Sequence, residues 1–536
     1  MKAVFSYLTR PVKDVQREYA RLSDKRAKAI LQYSLLGAFV VGMAAHAFAY
    51  FNFAPIHDAV NYIGHLAGGW EISLGRFFQV VYGRIRGEYA MPWLSGMLSM
   101  LYIGLASFLI NELLGIDEPW CAFLTAGFLM ANATMTNLIL AFIYVTDVLA
   151  LALLIACIGA YVVIRLSGWL GVMAGSVCFA VSMGLYQSYA LFGGMVLVSY
   201  VMLQAADDRE MFRYQYLNWI RYALAVVGAA CVYIALYAYF MWSYGVGMAS
   251  ASSYNSPAKV ASLDVKTLIP LFRQAYTDFA KYFWGMGSSE LNQIQAGTVA
   301  LCLLTGCLFV LHAIRKKLPL ANILLIGLGI ALFPGLAQVF GVLAGRGGAY
   351  ALTAHALYLM YPVMLAMIQR VRTVAGKTCA RVVNHAAFKA AVVLLCSIVL
   401  FGNIRHSNEM YTFGSIQYDK TISYVTRLIE RIHNVPGYVH KDTEVVFTGY
   451  MSANLINAEE PDGFAFADGM NKSAITYLQV LKSFVHLMGD DMNIPLDYSD
   501  MPDYGSMGEV RAMPAFPDPG CIRMMDGRVL VKLSDY

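Results

Sequence analysis

The chain has 536 residues, of which 59% are hydrophobic and 14% charged, and its formal net charge is +5. A soluble domain carries about 25% charged residues, so this composition predicts a polytopic membrane protein. The basic residues are spread along the chain instead of forming one patch, which argues against nucleic acid as a partner. There is no CxxC pair, HExxH motif, Walker loop, GxSxG or GxGxxG, so the sequence predicts no zinc protease, ATP-driven pump, serine hydrolase or dinucleotide enzyme.

Apolar runs long enough for a membrane-spanning helix of about 20 residues recur between Ile30 and Asn403. They predict about eleven spans, at residues 30–51, 93–114, 119–133, 138–164, 168–185, 189–204, 219–243, 298–314, 320–343, 349–368 and 387–403. The third run is short enough to be re-entrant instead. The charged N-terminal segment, residues 1–29, lacks the features of a cleaved signal peptide, so the first span is expected to serve as an uncleaved anchor.

The distribution of Lys and Arg predicts a cytoplasmic N-terminus in a bacterial inner membrane. With that orientation, the cytoplasmic segments hold 20 of the 39 basic residues and the outside loops hold 8. The outside loops include two long ones, residues 52–92 and 244–297. An odd number of spans then places the tail, residues 404–536, on the outside as well.

The tail has a soluble composition and predicts a small extracytoplasmic domain. Residues 416–432 have the pattern of a helix, whereas Glu444–Thr448 and Arg528–Lys532 have the pattern of strands. These elements predict an α/β or α+β domain that follows an all-α membrane domain, residues 30–403.

Asp58 lies in the segment FAPIHDAVNY, a few residues after the first span. A carboxylate at the outer interface can accept the proton of an attacking hydroxyl group, which is the task of a general base. The alternative is an ordinary interfacial acid that ends a helix, and the residue types alone favour it. The neighbouring His57 is a candidate base or ligand, or else a simple polar contact.

Asp147 lies about nine residues inside the predicted fourth span, or roughly 13 Å along the helix. An acid at that depth costs about 2.5–3.5 kcal/mol on insertion scales, so it should face a cavity or a partner. Asn137, Tyr144 and Asp147 share one face of the helix and predict a hydrated groove that opens to the outside. The alternative is a structural hydrogen bond to another span.

Arg76 and Arg346 are candidate anion binders because both lie in predicted outside loops and a guanidinium group matches phosphate oxygens. Arg76 belongs to a segment, Trp70–Gly87, that predicts an amphipathic helix, either on the membrane surface or packed against neighbouring spans. Tyr186 and Gln187, at an outer span end, add hydrogen-bonding groups.

In their order along this topology, these motifs resemble the Gtr-type O-antigen glucosyltransferase family, membrane enzymes of the GT-C class. The resemblance covers roughly residues 30–400. It is carried by Asp58, by Gly75-Arg76, by the Tyr-x-x-Asp of Tyr144 and Asp147, and by the pair Tyr186-Gln187. The family often has paired acids after the first span, whereas this chain has His57-Asp58, which leaves one acid at that position.

The resemblance implies a GT-C-like fold and an inverting transfer of glucose, or a related hexose, from a polyprenyl-phosphate donor to a surface polysaccharide such as O-antigen. It assigns catalysis to Asp58. It assigns substrate binding to His57, Arg76, Tyr144, Asp147, Tyr186, Gln187 and Arg346. No metal site is predicted and no cofactor is required, although the acids leave room for Mg²⁺ or Mn²⁺.

Two other functions fit parts of the sequence. A transporter or flippase of lipid-linked sugar would also explain an acid such as Asp147 within a span, but the chain shows no repeated halves with interrupted helices. A polysaccharide polymerase or ligase would share the lipid-linked donor and transfer a whole oligosaccharide.

Overall fold

A computed structural model describes residues 14–250, 264–345, 350–374, 386–449, 475 and 477–534. Among these residues, nine helices are long and apolar enough to cross a membrane. They are Lys25–Phe51, Pro92–Leu114, Ala133–Arg165, Gly168–Leu185, Gln187–Asp207, Tyr216–Tyr244, Gln293–Lys316, Leu320–Ala337 and Ala386–His433. The prediction of an all-α polytopic membrane protein is confirmed.

The predicted count of eleven spans exceeds this number because two apolar runs form shorter helices. Pro119–Met130 has 12 residues, or about 18 Å, which is less than the ~30 Å of a bilayer core. The run at 349–368 forms a 3₁₀ turn, His355–Leu359, followed by the helix Met360–Val374. Hydropathy alone does not register such interruptions, since apolar residues continue through them.

The segment after Pro119–Met130 is bent at two places. Asn132 has an extended backbone and its side chain accepts from Met135 N, which starts a new helix, Ala133–Phe142. A 3₁₀ turn, Ile143–Val145, then precedes the helix Thr146–Arg165. Asp147 therefore lies in the first turn of a helix and not in the middle of a straight one.

Close helix packing depends on small residues, as is usual when lipid offers no hydrophobic drive for association. At Gly37 of the first helix, an added Cβ would lie 2.3 Å from the carbonyl oxygen of Phe123. Gly37 thus permits direct contact between Lys25–Phe51 and Pro119–Met130, and any larger side chain would push the two helices apart.

The predicted outside loop after the first helix contains three short helical elements: His57–Val60, Gly69–Ser73 and Phe77–Arg86. We call Phe77–Arg86 the loop helix. Its residues Phe77 and Gln79 are buried against the protein, whereas Ile85 is 81% exposed. The loop helix thus buries the polar Gln79 against the protein and exposes the apolar Ile85, as expected of a helix that contacts lipid. Both predictions for this segment, packing against neighbouring spans and contact with the membrane surface, therefore apply.

The last membrane helix, Ala386–His433, is a single helix of 48 residues, or about 72 Å. It is more than twice as long as the bilayer core is thick, so it leaves the membrane and enters the tail. The helix predicted at residues 416–432 is its C-terminal part. The predicted domain boundary at residue 403 lies inside this helix, which acts as a rigid connection.

In the described part of the tail, the strands Val445–Thr448 (β1), Ile522–Met525 (β2) and Arg528–Lys532 (β3) form one sheet with the order β1-β3-β2. β1, Val445–Thr448, is parallel to β3, Arg528–Lys532, with Val445 opposite Val529. β2, Ile522–Met525, is antiparallel to β3. The two predicted strands are confirmed, and β2 was missed because it is short and only half-buried. One further helix, Leu478–Leu487, packs on the long helix; we call it the tail helix.

The remaining described helical segments are residues 14–22, Met211–Tyr214, Val265–Trp284, Val339–Leu343 and Gly508–Arg511, with a 3₁₀ turn at Tyr504–Ser506.

Candidate active site

Asp58 lies in the 3₁₀ turn that follows the first membrane helix, and its neighbour His57 has a left-handed backbone with φ of 53°. The Nδ1 atom of His57 is 2.7 Å from the backbone nitrogen of Asp58 and 3.3 Å from its Oδ1. A neutral imidazole therefore accepts from the amide, whereas a protonated one donates to the carboxylate. The tight turn thus couples the two side chains directly.

The tail supplies a further contact to this carboxylate. The hydroxyl of Tyr477, the residue that precedes the tail helix, donates a short hydrogen bond to Asp58 Oδ1. Asn61 Nδ2 donates to the same hydroxyl oxygen over 2.9 Å. The tail therefore lies at the same end of the helix bundle as Asp58. Tyr477 was missed by the sequence analysis because a contact across 419 residues leaves no local pattern.

The pKa of Asp58 lies below its ordinary value. Burial raises this pKa, but the hydrogen bond and charge of His57, the hydrogen bond from Tyr477 and the charge of Arg76 together outweigh burial. Asp58 is therefore ionised at neutral pH, as a general base must be. The contribution of Arg76 also shows that its guanidinium lies within electrostatic range of the carboxylate.

Arg76 directly precedes the loop helix and packs against Tyr186. Its guanidinium carbon is 4.4 Å from the centre of the Tyr186 ring, and Nη2 is 3.4 Å from the phenol oxygen. Its backbone N–H donates to the Glu71 carbonyl over 2.8 Å. Stacking on an aromatic face restrains the plane of the guanidinium, whose fork of N–H donors matches the oxygens of an anionic ligand.

Gly75 makes the turn that orients Arg76. Its φ is +81°, and an added Cβ would lie 2.1 Å from the Tyr233 hydroxyl. That hydroxyl donates to the Gly75 carbonyl over 3.0 Å, and Gln187 Nε2 donates to the Leu74 carbonyl over 2.6 Å. Gln187 thus holds the backbone beside Arg76.

A second carboxylate lies near Asp58. Glu71 is 5% exposed and accepts from the hydroxyl of Tyr62 over 2.8 Å and from Gly68 N over 2.6 Å. The Tyr62 ring stacks on Tyr144, with ring centres 4.4 Å apart and planes at 5°. Burial, then Glu71 and Asp58, raise the pKa of Tyr62, whereas Arg76 lowers it. Folding therefore gathers Asp58, Glu71, Tyr62, Tyr144 and Arg76, although in the sequence Glu71 lies 13 residues after Asp58 and forms no acid pair with it.

Asp147 forms a buried ion pair instead of facing a groove. Its Oδ2 is 3.2 Å from Nε of Arg86 and accepts from the Tyr82 hydroxyl over 3.0 Å. Arg86 also donates to the Tyr144 carbonyl over 2.7 Å. The side chains of Arg86 and Asp147 are 2% and 0% exposed. This geometry matches the structural alternative for Asp147: it fixes the loop helix to the membrane bundle.

The other sequence-predicted residues are placed as follows. Asn137 is buried and donates to the Ala133 carbonyl of its own helix over 3.0 Å, so the predicted polar stripe does not line a groove at this position. Arg346 lies outside the described residues, and its assignment as a phosphate binder stays a prediction.

Replacing Gly75 by alanine tests the turn that orients Arg76. The left-handed backbone alone costs about 1–2 kcal/mol for a residue with a Cβ, and the collision with Tyr233 adds to this. We expect a lower thermal unfolding temperature in detergent for Gly75→Ala. The control is Gly245→Ala, which has φ of +63° but open space around its Cβ; an equal loss in both variants would contradict the close approach.

Replacing Arg86 by alanine tests the buried ion pair. Arg86→Ala leaves the Asp147 charge without its cation, which is expected to destabilise the protein by about 3–5 kcal/mol. Arg84→Ala is the control because Arg84, two residues earlier, is exposed and its guanidinium donates to the Tyr244 hydroxyl. Thermal unfolding of both variants is the measurement, and equal unfolding temperatures would refute a structural role for the pair.

Comparison with known proteins identifies the family of this chain. A family model described as glucosyl transferase GtrII matches residues 47–368, which include Asp58, Arg76, Asp147 and Gln187. Searches of curated proteins and of solved structures give no significant match. The match spans more than half of the chain, and the chain therefore belongs to the GtrII family of glucosyl transferases.

Proposed function

We propose that this membrane glucosyltransferase moves glucose, or a related hexose, from a polyprenyl-phosphate donor to a surface polysaccharide such as O-antigen, with inversion at the anomeric carbon. The observation that carries the proposal is an ionised Asp58, held by Tyr477 and His57, with the guanidinium of Arg76 within electrostatic range at one end of the helix bundle. A base and a phosphate binder in one site are what such a transfer needs.

In the proposed reaction, Asp58 takes the proton of an acceptor hydroxyl as its oxygen attacks the anomeric carbon. The bond between that carbon and the phosphate oxygen breaks, and polyprenyl phosphate leaves with the electron pair. Arg76 stabilises the charge that develops on the leaving phosphate. Asp58 can serve because its pKa lies below its ordinary value, so the carboxylate is free of a proton before the acceptor binds.

The other assigned residues surround this centre. Tyr477 and His57 hold the Asp58 carboxylate. The Tyr62 ring, which stacks on the buried Tyr144, is proposed to pack against a sugar ring. Tyr186 stacks under Arg76, so it acts through the guanidinium. Arg346 is proposed as a second phosphate ligand.

Topology supports a reaction on the outer face of a bacterial inner membrane. Asp58 follows the C-terminal end of the first membrane helix, whereas the basic segment proposed to be cytoplasmic precedes its N-terminal end. The tail contacts Asp58 and so lies at the C-terminal end of this helix as well. A polyprenyl chain could pack between spans with its phosphate at that interface. The proposed transfer uses only protein side chains, and Asp58 and Glu71 are the acids near Arg76 that could hold Mg²⁺ or Mn²⁺.

Asp58→Asn is the direct test of the base. Asparagine keeps the size and accepts the Tyr477 hydrogen bond but cannot take a proton, so transfer should fall by at least about 100-fold, the lower range of general-base contributions. The assay is transfer of labelled glucose in proteoliposomes that contain polyprenyl-phosphate glucose and acceptor glycan. The control is Glu88→Gln, an exposed acid of the same loop that pairs with His65.

The products of the same assay separate the proposed function from its alternatives. Full activity of Asp58→Asn would reject the assigned base. Movement of the donor across the bilayer without a covalent product would indicate a flippase. A product mass that grows by a whole repeat unit, instead of by one hexose, would indicate a polymerase or ligase.

The pH dependence of transfer tests the contact between His57 and Asp58. His57 lowers the pKa of Asp58, whereas burial raises it. In His57→Gln the charge of His57 is lost and burial remains, so the pKa rises and more of the carboxyl group is protonated at a given acidic pH. The acidic limb of kcat/KM should therefore move to higher pH, while activity on the alkaline side changes less.

His65→Gln is the matched control for this profile, because His65 is an exposed histidine in the same loop. An acidic limb that stays in place for His57→Gln, or moves equally for His65→Gln, would contradict the proposed coupling.

A further inference from the structure

Three potential metal ligands meet in the tail, away from Asp58. They are His433, His440 and Asp490, whose ligand atoms all lie within 4.8 Å of one another. His433 Nε2 is 2.8 Å from Asp490 Oδ2, and His440 Nδ1 is 3.8 Å from Asp490 Oδ1. His433 and His440 are seven residues apart and Asp490 is 50 residues further on, a spacing that matches no short metal motif, which is why the sequence predicts no metal site.

Local structure brings each ligand to this point. His433 is the last residue of the long helix, and a turn that includes Gly437, with φ of +84°, carries the chain to His440. Asp490 follows the tail helix through a Schellman cap at Gly489, in which Gly489 N donates to His486 O and Asp490 N donates to Val485 O. The cluster therefore joins the ends of two helices.

The Asp490 carboxylate is incompletely satisfied by protein. Asp490 is 8% exposed, and its Oδ1 atom is buried without a hydrogen-bond partner among the described residues. A buried carboxylate oxygen that lacks a donor is costly, since its hydration is lost without replacement. This oxygen faces the His440 imidazole at a distance too long for a hydrogen bond, so there is room for an ion between them.

The surroundings suit ion entry and ring orientation. The side chains of His433 and His440 are 41% and 42% exposed, so an ion can reach them from solvent and the rings can adjust. The Tyr438 ring stacks on His433, with centres 5.5 Å apart and planes at 23°, and restrains that imidazole. In a tetrahedral zinc site with ligands at about 2.1 Å, donor atoms lie roughly 3.4 Å apart, which small rotations of the exposed rings can achieve.

We propose that His433, His440 and Asp490 bind one Zn²⁺ ion, which fastens the end of the long helix to the end of the tail helix. Two imidazoles and a carboxylate are a donor set that zinc accepts, with water in the fourth position. The site is separate from the residues assigned to glucosyl transfer. Because the tail helix starts after Tyr477, the ion holds the helix whose other end contacts Asp58.

Zinc binding is measured on the full-length protein in detergent, without a polyhistidine tag, after treatment with a chelator and removal of the chelator. Calorimetric titration with Zn²⁺ and elemental analysis give affinity and stoichiometry. We expect one ion per chain, and a rise in unfolding temperature on addition of zinc. The two variants are His440→Ala, whose side chain is half-exposed, and Asp490→Asn, which keeps the side-chain shape.

Each variant removes one of three ligands and should weaken zinc binding by at least about 10-fold, the loss found even when only an outer-shell partner is removed. His486→Ala is the matched control, since His486 forms an exposed pair with Asp491 nearby, at 2.9 Å. Absence of zinc binding by the unmodified chain, or equal binding by the two ligand variants and the unmodified chain, would overturn the proposal. Neither outcome depends on transfer activity, so the result is independent of the proposed function.

Discussion

The geometry of the candidate site depends on how one extramembrane loop is fixed to the helices beneath it. The loop helix carries Arg86, whose charge is buried against Asp147 at the start of a membrane helix. Burying either charge without the other would destabilise the protein, so the ion pair fixes both the position and the orientation of the loop helix. Gln79 of the loop helix donates to the Leu185 carbonyl over 2.7 Å, which attaches the loop helix to the end of the membrane helix Gly168–Leu185.

The attachment of the loop helix restricts the position of the Arg76 guanidinium. The residue lies where the loop helix begins, and the turn before it is tied down by Tyr233 and Gln187. A guanidinium on such a backbone has few alternative positions, and its stacking on Tyr186 restricts it further. Preorganisation of this kind is what makes electrostatic stabilisation of a leaving group effective, because the protein does not have to rearrange during the reaction.

The tail contributes Tyr477 to the candidate site. A helix of 48 residues is stiff enough to carry the orientation of the membrane bundle into the soluble sheet, and the tail helix packs on it. Tyr477 then reaches the turn after the first membrane helix. The membrane domain and the tail are consequently linked at Asp58, and the His433, His440 and Asp490 cluster lies at the opposite end of the tail helix from this contact.

The sequence by itself determined the membrane class and most helix positions, because apolar run length is a property of short segments. Local motifs also named Asp58 and Arg76 as candidate site residues, and their roles stay a prediction. It also predicted two of the three strands. It could not identify where apolar runs are interrupted, as at Asn132, because the break depends on a side-chain cap and not on hydropathy.

The contact partners of Asp147, of Asp58 and of the tail residues were determined only by the tertiary structure. Asp147 was predicted to face a groove, but Arg86, 61 residues earlier in the chain, lies against it. Glu71, Tyr62 and Tyr477 join Asp58 through contacts between separate elements, and the three tail ligands are brought together by two helix ends. A local pattern specifies which element a residue belongs to, whereas the distance between residues of different elements is set by packing, which no segment of the sequence encodes alone.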